Sequence, residues 1–185
     1  MTTNRSVLRT KKAIRQAFIE LLSEKKSIER ITIIELTDKA NIVRSTFYSH
    51  YDDIYAVAKE IQKEIADALS DTLNKYVQNN VDDLSVPITI MIDFFKEREH
   101  EYRMLLTSGY NENQFVEQLK DTFAKELADK FPFKNPDFFN NDKFFEARFY
   151  SEMVIDLVCG YLRGTIKMNL YEIREFTLKV IERLG

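Results

Sequence analysis

Apolar residues recur at every third or fourth position along nearly the whole chain, and no run alternates with a period of two. That spacing gathers the apolar side chains of each segment on one face of a helix and offers no half-buried strand. Backbone breakers are scarce, with four glycines and three prolines in 185 residues. Helices joined by short connections follow, and the expected fold is all-α. The runs predict about nine helices, divided into a three-helix N-terminal domain over residues 1–53 and a larger C-terminal helical bundle over 54–185.

The first run, Leu8 to Leu22, sets Ile14, Ala17, Phe18 and Leu21 against Arg9, Lys12, Arg15 and Glu20. Thr32-Ile33-Ile34-Glu35 has the spacing of a capping box, which announces a helix start. Asn41 interrupts that short helix, since Asn tolerates the left-handed conformation of a tight turn. A third short helix follows through Arg44–His50, and Asp52 or Asp53 can cap a long amphipathic helix from Ile54 to about Asn79. Pro87 suits the first turn of the next helix, which carries Met91, Phe94 and Phe95. A short helix around Tyr102 is stopped by Ser108-Gly109, and the stripe Phe115, Leu119, Phe123, Leu127 ends before Pro132. Residues 132–142 read as a loop, Phe144–Met168 as a long helix and Ile173–Leu184 as the last one.

The net charge of −3 conceals an asymmetry. Residues 1–51 hold ten Lys and Arg against five Asp and Glu, a balance of +5, and the remainder stands at −8. A basic head on an acidic body suits a polyanion at one end. Other functions find little support. The two histidines, His50 and His100, lie far apart, and there is no metal-ligand spacing, Gly-rich phosphate loop or nucleophile elbow. No catalytic residue, metal or cofactor is expected. A single cysteine, Cys159, can make no internal disulfide, and no run reaches the roughly 20 apolar residues of a membrane span. With a polar N-terminus lacking an apolar leader, the expected location is cytoplasmic.

The informative segment is IELTDKA–NIV–RSTFYSHY: short helix, three-residue turn, short helix. This is the layout of a helix-turn-helix, whose second helix enters the major groove of double-stranded DNA. Nearly every residue of that helix carries a hydrogen-bonding side chain, and Phe47 alone is plainly an internal anchor. Arg44 can read guanine bidentately, and Ser45 or Thr46 can approach base edges. Tyr48, Ser49, His50 and Tyr51 can hold phosphates and so fix the register.

From Ile31-Thr32-Ile33 through Ala40 to Thr46-Phe47-Tyr48-Ser49-His50-Tyr51, the chain closely resembles the DNA-binding domain of the tetracycline-repressor (TetR/AcrR) family. The likeness extends over about residues 8–58, including Ala17-Phe18 and Leu21-Leu22. It implies a symmetric homodimer on a palindromic operator and a C-terminal domain that binds a small effector. Thr32 and the first-helix cations Lys11, Lys12 and Arg15 complete the expected phosphate contacts. Three positions depart from the family pattern. Asn41 stands for Gly, Val43 for a capping Ser or Thr worth about 1 kcal/mol, and Ile54 for a Lys beside DNA.

The family layout also implies that the last two helices pair with their copies, through Tyr150, Val154, Leu157, Tyr161, Ile173, Leu178 and Ile181. Gly160 and Gly164, four apart, permit a close helix approach. Effector-lining candidates are Met91, Phe94, Phe95, Tyr102, Phe115, Phe123 and Met153. The expected function is a sequence-specific transcription regulator, a repressor whose operator affinity the effector modulates. The alternative is a protein-binding co-regulator or adaptor on the same fold.

Overall fold

In a computed structural model of the chain, residues 2–77, 83–131 and 143–184 are described, and nine α-helices with no strand occupy them. They are α1 (Thr2–Lys25), α2 (Ile33–Lys39), α3 (Arg44–Tyr48), α4 (Ile54–Val77) and α5 (Ser85–Glu97), then α6 (Glu99–Leu105), α7 (Glu112–Lys130), α8 (Lys143–Arg163) and α9 (Leu170–Leu184). A 3-10 turn at Ile28–Arg30 links α1 to α2. The fold is all-α, as the periodicity requires. The expected loop over 132–142 lies outside the described residues.

Two compact units divide the chain. The first comprises residues 1–64 and 103–112, the second 65–102 and 113–185. This division departs from one at residue 53, because the first turns of α4 bury Ile54, Val57, Ala58 and Ile61 in the first unit's core. The segment 103–112 joins that unit too: Ser108 O accepts the Ile28 N–H at 3.1 Å, and Tyr110 packs on Tyr55 with ring centroids 4.9 Å apart. Inside the first unit, Ile14, Phe18, Leu22, Leu36 and Phe47 are fully shielded from water.

In the second unit α5, α8 and α9 pack together around Ile88, Met91, Phe95, Val154, Val158 and Ile173. Helix α8 stops at Arg163, short of the expected Met168. Gly164 adopts φ +77, the Thr165 N–H donates to Gly160 O at 2.9 Å, and the Gly164 N–H donates to Tyr161 O at 3.0 Å. These two bonds form a Schellman motif that satisfies the last carbonyls. The Ile166 side chain then folds over Gly160, where an added Cβ would meet Ile166 Cδ1 at 2.5 Å. The glycine pair therefore ends a helix and seats a side chain of the same chain, where a close approach of another helix was expected. Asn169 restarts the chain as α9 through a reciprocal cap with Glu172, its Oδ1 accepting the Glu172 N–H at 3.0 Å.

Candidate nucleic-acid interface

Thr32 is extended, at φ −102 and ψ 152, and its Oγ1 accepts the Glu35 N–H at 3.3 Å. The Thr32 N–H donates in return to Glu35 Oε2 at 3.0 Å, so both halves of the capping box form. Lys25 Nζ reaches Glu35 Oε1 at 2.6 Å. That hydrogen bond, followed by those from Thr32, draws the Glu35 carboxyl down to about 2. Leu36 and Thr37 face inward, and the Thr37 hydroxyl donates to Ile33 O at 2.9 Å. After α2, Asn41 takes φ +54 and the Ile42 N–H returns to Thr37 O at 3.0 Å, closing the tight turn into α3.

Helix α3 is five residues long and buries only Phe47. Val43 precedes it in extended conformation with no side-chain cap and is 66% exposed. Arg44, Ser45, Tyr48 and Ser49 are exposed, at positions that share one helical face. Thr46 and His50 are half-buried, and the Ser49 hydroxyl donates to Thr46 O at 2.7 Å. Phe47 packs edge-on against Tyr48 and tilted against Tyr51, with centroids 5.6 and 5.7 Å apart.

Tyr51 is buried and donates its hydroxyl to Glu60 Oε2 on α4. Burial raises the Tyr51 phenol above its ordinary value, and Glu60 raises it further. Lys11 Nζ donates to the other oxygen, Glu60 Oε1, at 2.5 Å and sits 5.4 Å from the Tyr51 ring centroid. Burial pushes the Glu60 carboxyl up, but the Lys11 and Tyr51 hydrogen bonds outweigh it and leave Glu60 below the ordinary carboxylate range. One turn further on, Arg15 pairs with Glu64. Lys12 is exposed. The matching spacings 11/15 and 60/64 hold this stretch of α1 beside α4 in the same direction. The i,i+4 spacing that Glu60 and Glu64 share with Lys11 and Arg15 is the one signal of this pairing that the sequence carries. Ile54 is buried, and Asp53 caps α4 by accepting the Ala56 N–H at 2.7 Å.

The residues named for an effector lie in the second unit, where Met91, Phe95, Tyr102, Phe115 and Phe123 are buried. Phe94 stacks on Tyr102 at 5.6 Å, Phe95 meets Tyr102 edge-on at 5.0 Å, and Met153 is half-buried. Of the seven residues expected at a dimer surface, three are buried within the chain and four are half-buried. Tyr150, Val154 and Ile173 are buried in the chain's own core, because the broad apolar face of α8 is largely covered by its neighbours. Leu157, Tyr161, Leu178 and Ile181 are half-buried, and the Tyr161 hydroxyl donates to Glu99 Oε1 at 3.0 Å. The apolar residues left most open on α8 and α9 are Phe144, Phe145, Phe149, Tyr171 and Phe176. Among the described residues no group of His, Cys, Asp or Glu is arranged to hold a metal ion, and no helix is long and apolar enough to cross a membrane.

No family model matches the chain. Over 48 residues it is 48% identical to the uncharacterized HTH-type transcriptional regulator YxbF of Bacillus subtilis (strain 168), a match covering 26% of this chain and only 13% of that protein. Among solved structures it is similar to the fatty acid degradation regulator FadR from Bacillus halodurans, with TM-score 0.68 and 11% identity over 93% of this chain and 94% of that one. It is also similar to the TetR family transcriptional regulator PfmR from Thermus thermophilus, with TM-score 0.59 and 15% identity over 92% and 97% of the two chains. The chain thus has the fold of the TetR-type transcriptional regulators, with a helix-turn-helix at its head.

Proposed function

We propose that this chain is a TetR-family transcription regulator that binds a palindromic DNA operator as a homodimer and represses from it. The observation that carries this reading is α3 itself, five residues that bury only Phe47 and turn Arg44, Ser45 and Tyr48 outward, with the exposed Ser49 closing it. A helix with so little to bury contributes little to stability, and its composition suits base edges and phosphates. Arg44, Ser45 and Thr46 read bases. Tyr48, Ser49 and His50 meet phosphates, joined by Lys12. The half-buried Met153 and Leu157 continue the line of Phe145 and Phe149 at i,i+4 spacing, which supports α8 as part of the dimer surface. A small effector in the second unit shifts operator affinity by binding one of two states better than the other.

The test is selection of a preferred duplex from a random pool by the full chain, followed by salt-titrated binding of that duplex and of random DNA. A preference of about a thousandfold or more at physiological salt is expected. Equal affinities at every salt concentration would overturn sequence-specific regulation. The pairing of Lys11 and Arg15 with acids of α4 favours one other reading, a protein-binding adaptor on the same fold with weakened DNA binding. A stoichiometric protein partner together with failure to retain any duplex would establish it.

A further inference from the structure

We infer that Glu60 is a positioning residue for DNA binding: it withholds Lys11 from the phosphate backbone and uses it, with Tyr51, to fix the end of the recognition helix. The inference rests on the DNA-binding reading above and assigns Lys11 a different task from the phosphate contact its position in the sequence suggested. Both carboxylate oxygens of Glu60 are engaged, Oε1 by Lys11 and Oε2 by Tyr51. Lys11 also lies over the Tyr51 ring, so the three side chains close on one another. Tyr51 in turn packs on Phe47, the one buried residue of α3, so the place of its ring sets the place of the helix. The arrangement is partly sheltered, with the Lys11 and Glu60 side chains 33% and 31% exposed, and a phosphate taking Lys11 would have to undo both its bond to Glu60 and its place over the Tyr51 ring. Arg15 and Glu64 repeat the pairing one turn along.

Phosphate contacts are counted by the salt dependence of binding, each changing the slope of log K against log salt by about 0.9. The probes are the selected duplex and a random duplex of equal length, with the full chain. Lys12→Ala removes one contact from each half of the dimer and should make the slope shallower by about 1.8 on both. Lys11→Ala should leave the slope unchanged and lower the ratio of selected to random affinity. Glu60→Gln frees Lys11 in both halves of the dimer, so the slope should steepen by about 1.8 and the ratio should fall by about tenfold. Adding Lys11→Ala to Glu60→Gln should restore the original slope. Tyr51→Phe keeps the ring packing and the ion pair, so it tests the positioning arm even if Glu60→Gln folds poorly; the ratio should fall at constant slope. A shallower slope with an unchanged ratio for Lys11→Ala would make Lys11 an ordinary phosphate contact and overturn the inference. So would an unaltered ratio in Tyr51→Phe. No preferred duplex for the unmodified chain would instead overturn the DNA-binding reading and the inference with it.

Discussion

Thr32 and Glu35 satisfy each other's backbone at the start of α2, the Glu35 N–H on Thr32 Oγ1 and the Thr32 N–H on Glu35 Oε2. Thr32→Ala removes the acceptor for one otherwise unpaired helix donor and should cost about 1 kcal/mol in urea unfolding. It also removes one of the groups that hold Glu35 ionised. In the folded chain Glu35 titrates at about 2 against an ordinary 4.5, with Lys25 the first cause and Thr32 the second. Its carboxylate therefore stabilises the fold fully above pH 4.5, and that contribution is lost as pH falls toward 2. Thr32→Ala should move the acid end of this loss upward. An unchanged acid profile, together with unchanged urea stability, would show that the box does not form in solution. The Glu35 side chain is partly exposed, so added salt should shrink the pH effect.

Asn41 sits at φ +54 between α2 and α3, a conformation that costs most L-residues about 1–2 kcal/mol. Asn41→Gly should leave stability nearly unchanged or raise it slightly, whereas Asn41→Ala should lower it by about 1 kcal/mol. Thermal unfolding of the two variants side by side decides the matter. Equal destabilisation by both would mean that the Asn side chain, rather than backbone permissiveness, holds the turn.

What could be read in the sequence was what depends on neighbours along the chain. The Thr32 box, the Asn41 turn and the uncapped Val43 involve residues within five positions of one another, and the structure reproduces them. Phe47 as the internal residue of α3 followed from its being the one plainly apolar side chain there. What could not be read depends on which helix faces which. Lys11 and Glu60 are 49 residues apart, and nothing local to Lys11 marks it as paired. The apolar face of α8 is wide, and periodicity alone does not separate the buried Tyr150 and Val154 from the exposed Phe145 and Phe149. The end of α8 was missed because Gly164 lies inside an apolar pattern that runs on through Ile166.

That ending is testable through Gly160, Gly164 and Ile166. Gly164→Ala places a Cβ in a left-handed conformation and should cost about 1 kcal/mol, with open space around it. Gly160→Ala instead forces Ile166 to move, since Cδ1 and Cγ1 lie 2.5 and 2.8 Å from the new atom, and should cost about 1–3 kcal/mol. Shortening the neighbour with Ile166→Ala should relieve part of the second cost and none of the first. A double-mutant cycle by urea unfolding reads the difference. Strict additivity of Gly160→Ala and Ile166→Ala would show that the two side chains do not meet.

Cys159 lies on the inner side of α8, and burial pushes its thiol up to about 12. Since the thiolate is the reacting species, a water-soluble disulfide reagent at neutral pH should label the folded chain very slowly and the unfolded chain at once. Following labelling across a urea titration should give a midpoint that coincides with helix loss by circular dichroism. Rapid labelling without urea would show that the α8 core opens independently of the rest.

Arg44 is exposed at the start of α3, and a guanidinium there has the fork needed for guanine O6 and N7. Arg44→Ala should weaken the preferred duplex by about 1–3 kcal/mol for each half-site and leave random DNA nearly as well bound. The loss should centre on one base pair of each half-site, so repeating the selection with the variant should return sites degenerate at that pair alone. Arg44→Lys should restore the preference only in part, because an ammonium lacks the rigid planar fork that matches O6 and N7. A uniform loss on both duplexes, with a salt slope shallower by about 1.8, would make Arg44 a phosphate contact and move base reading to Ser45 and Thr46.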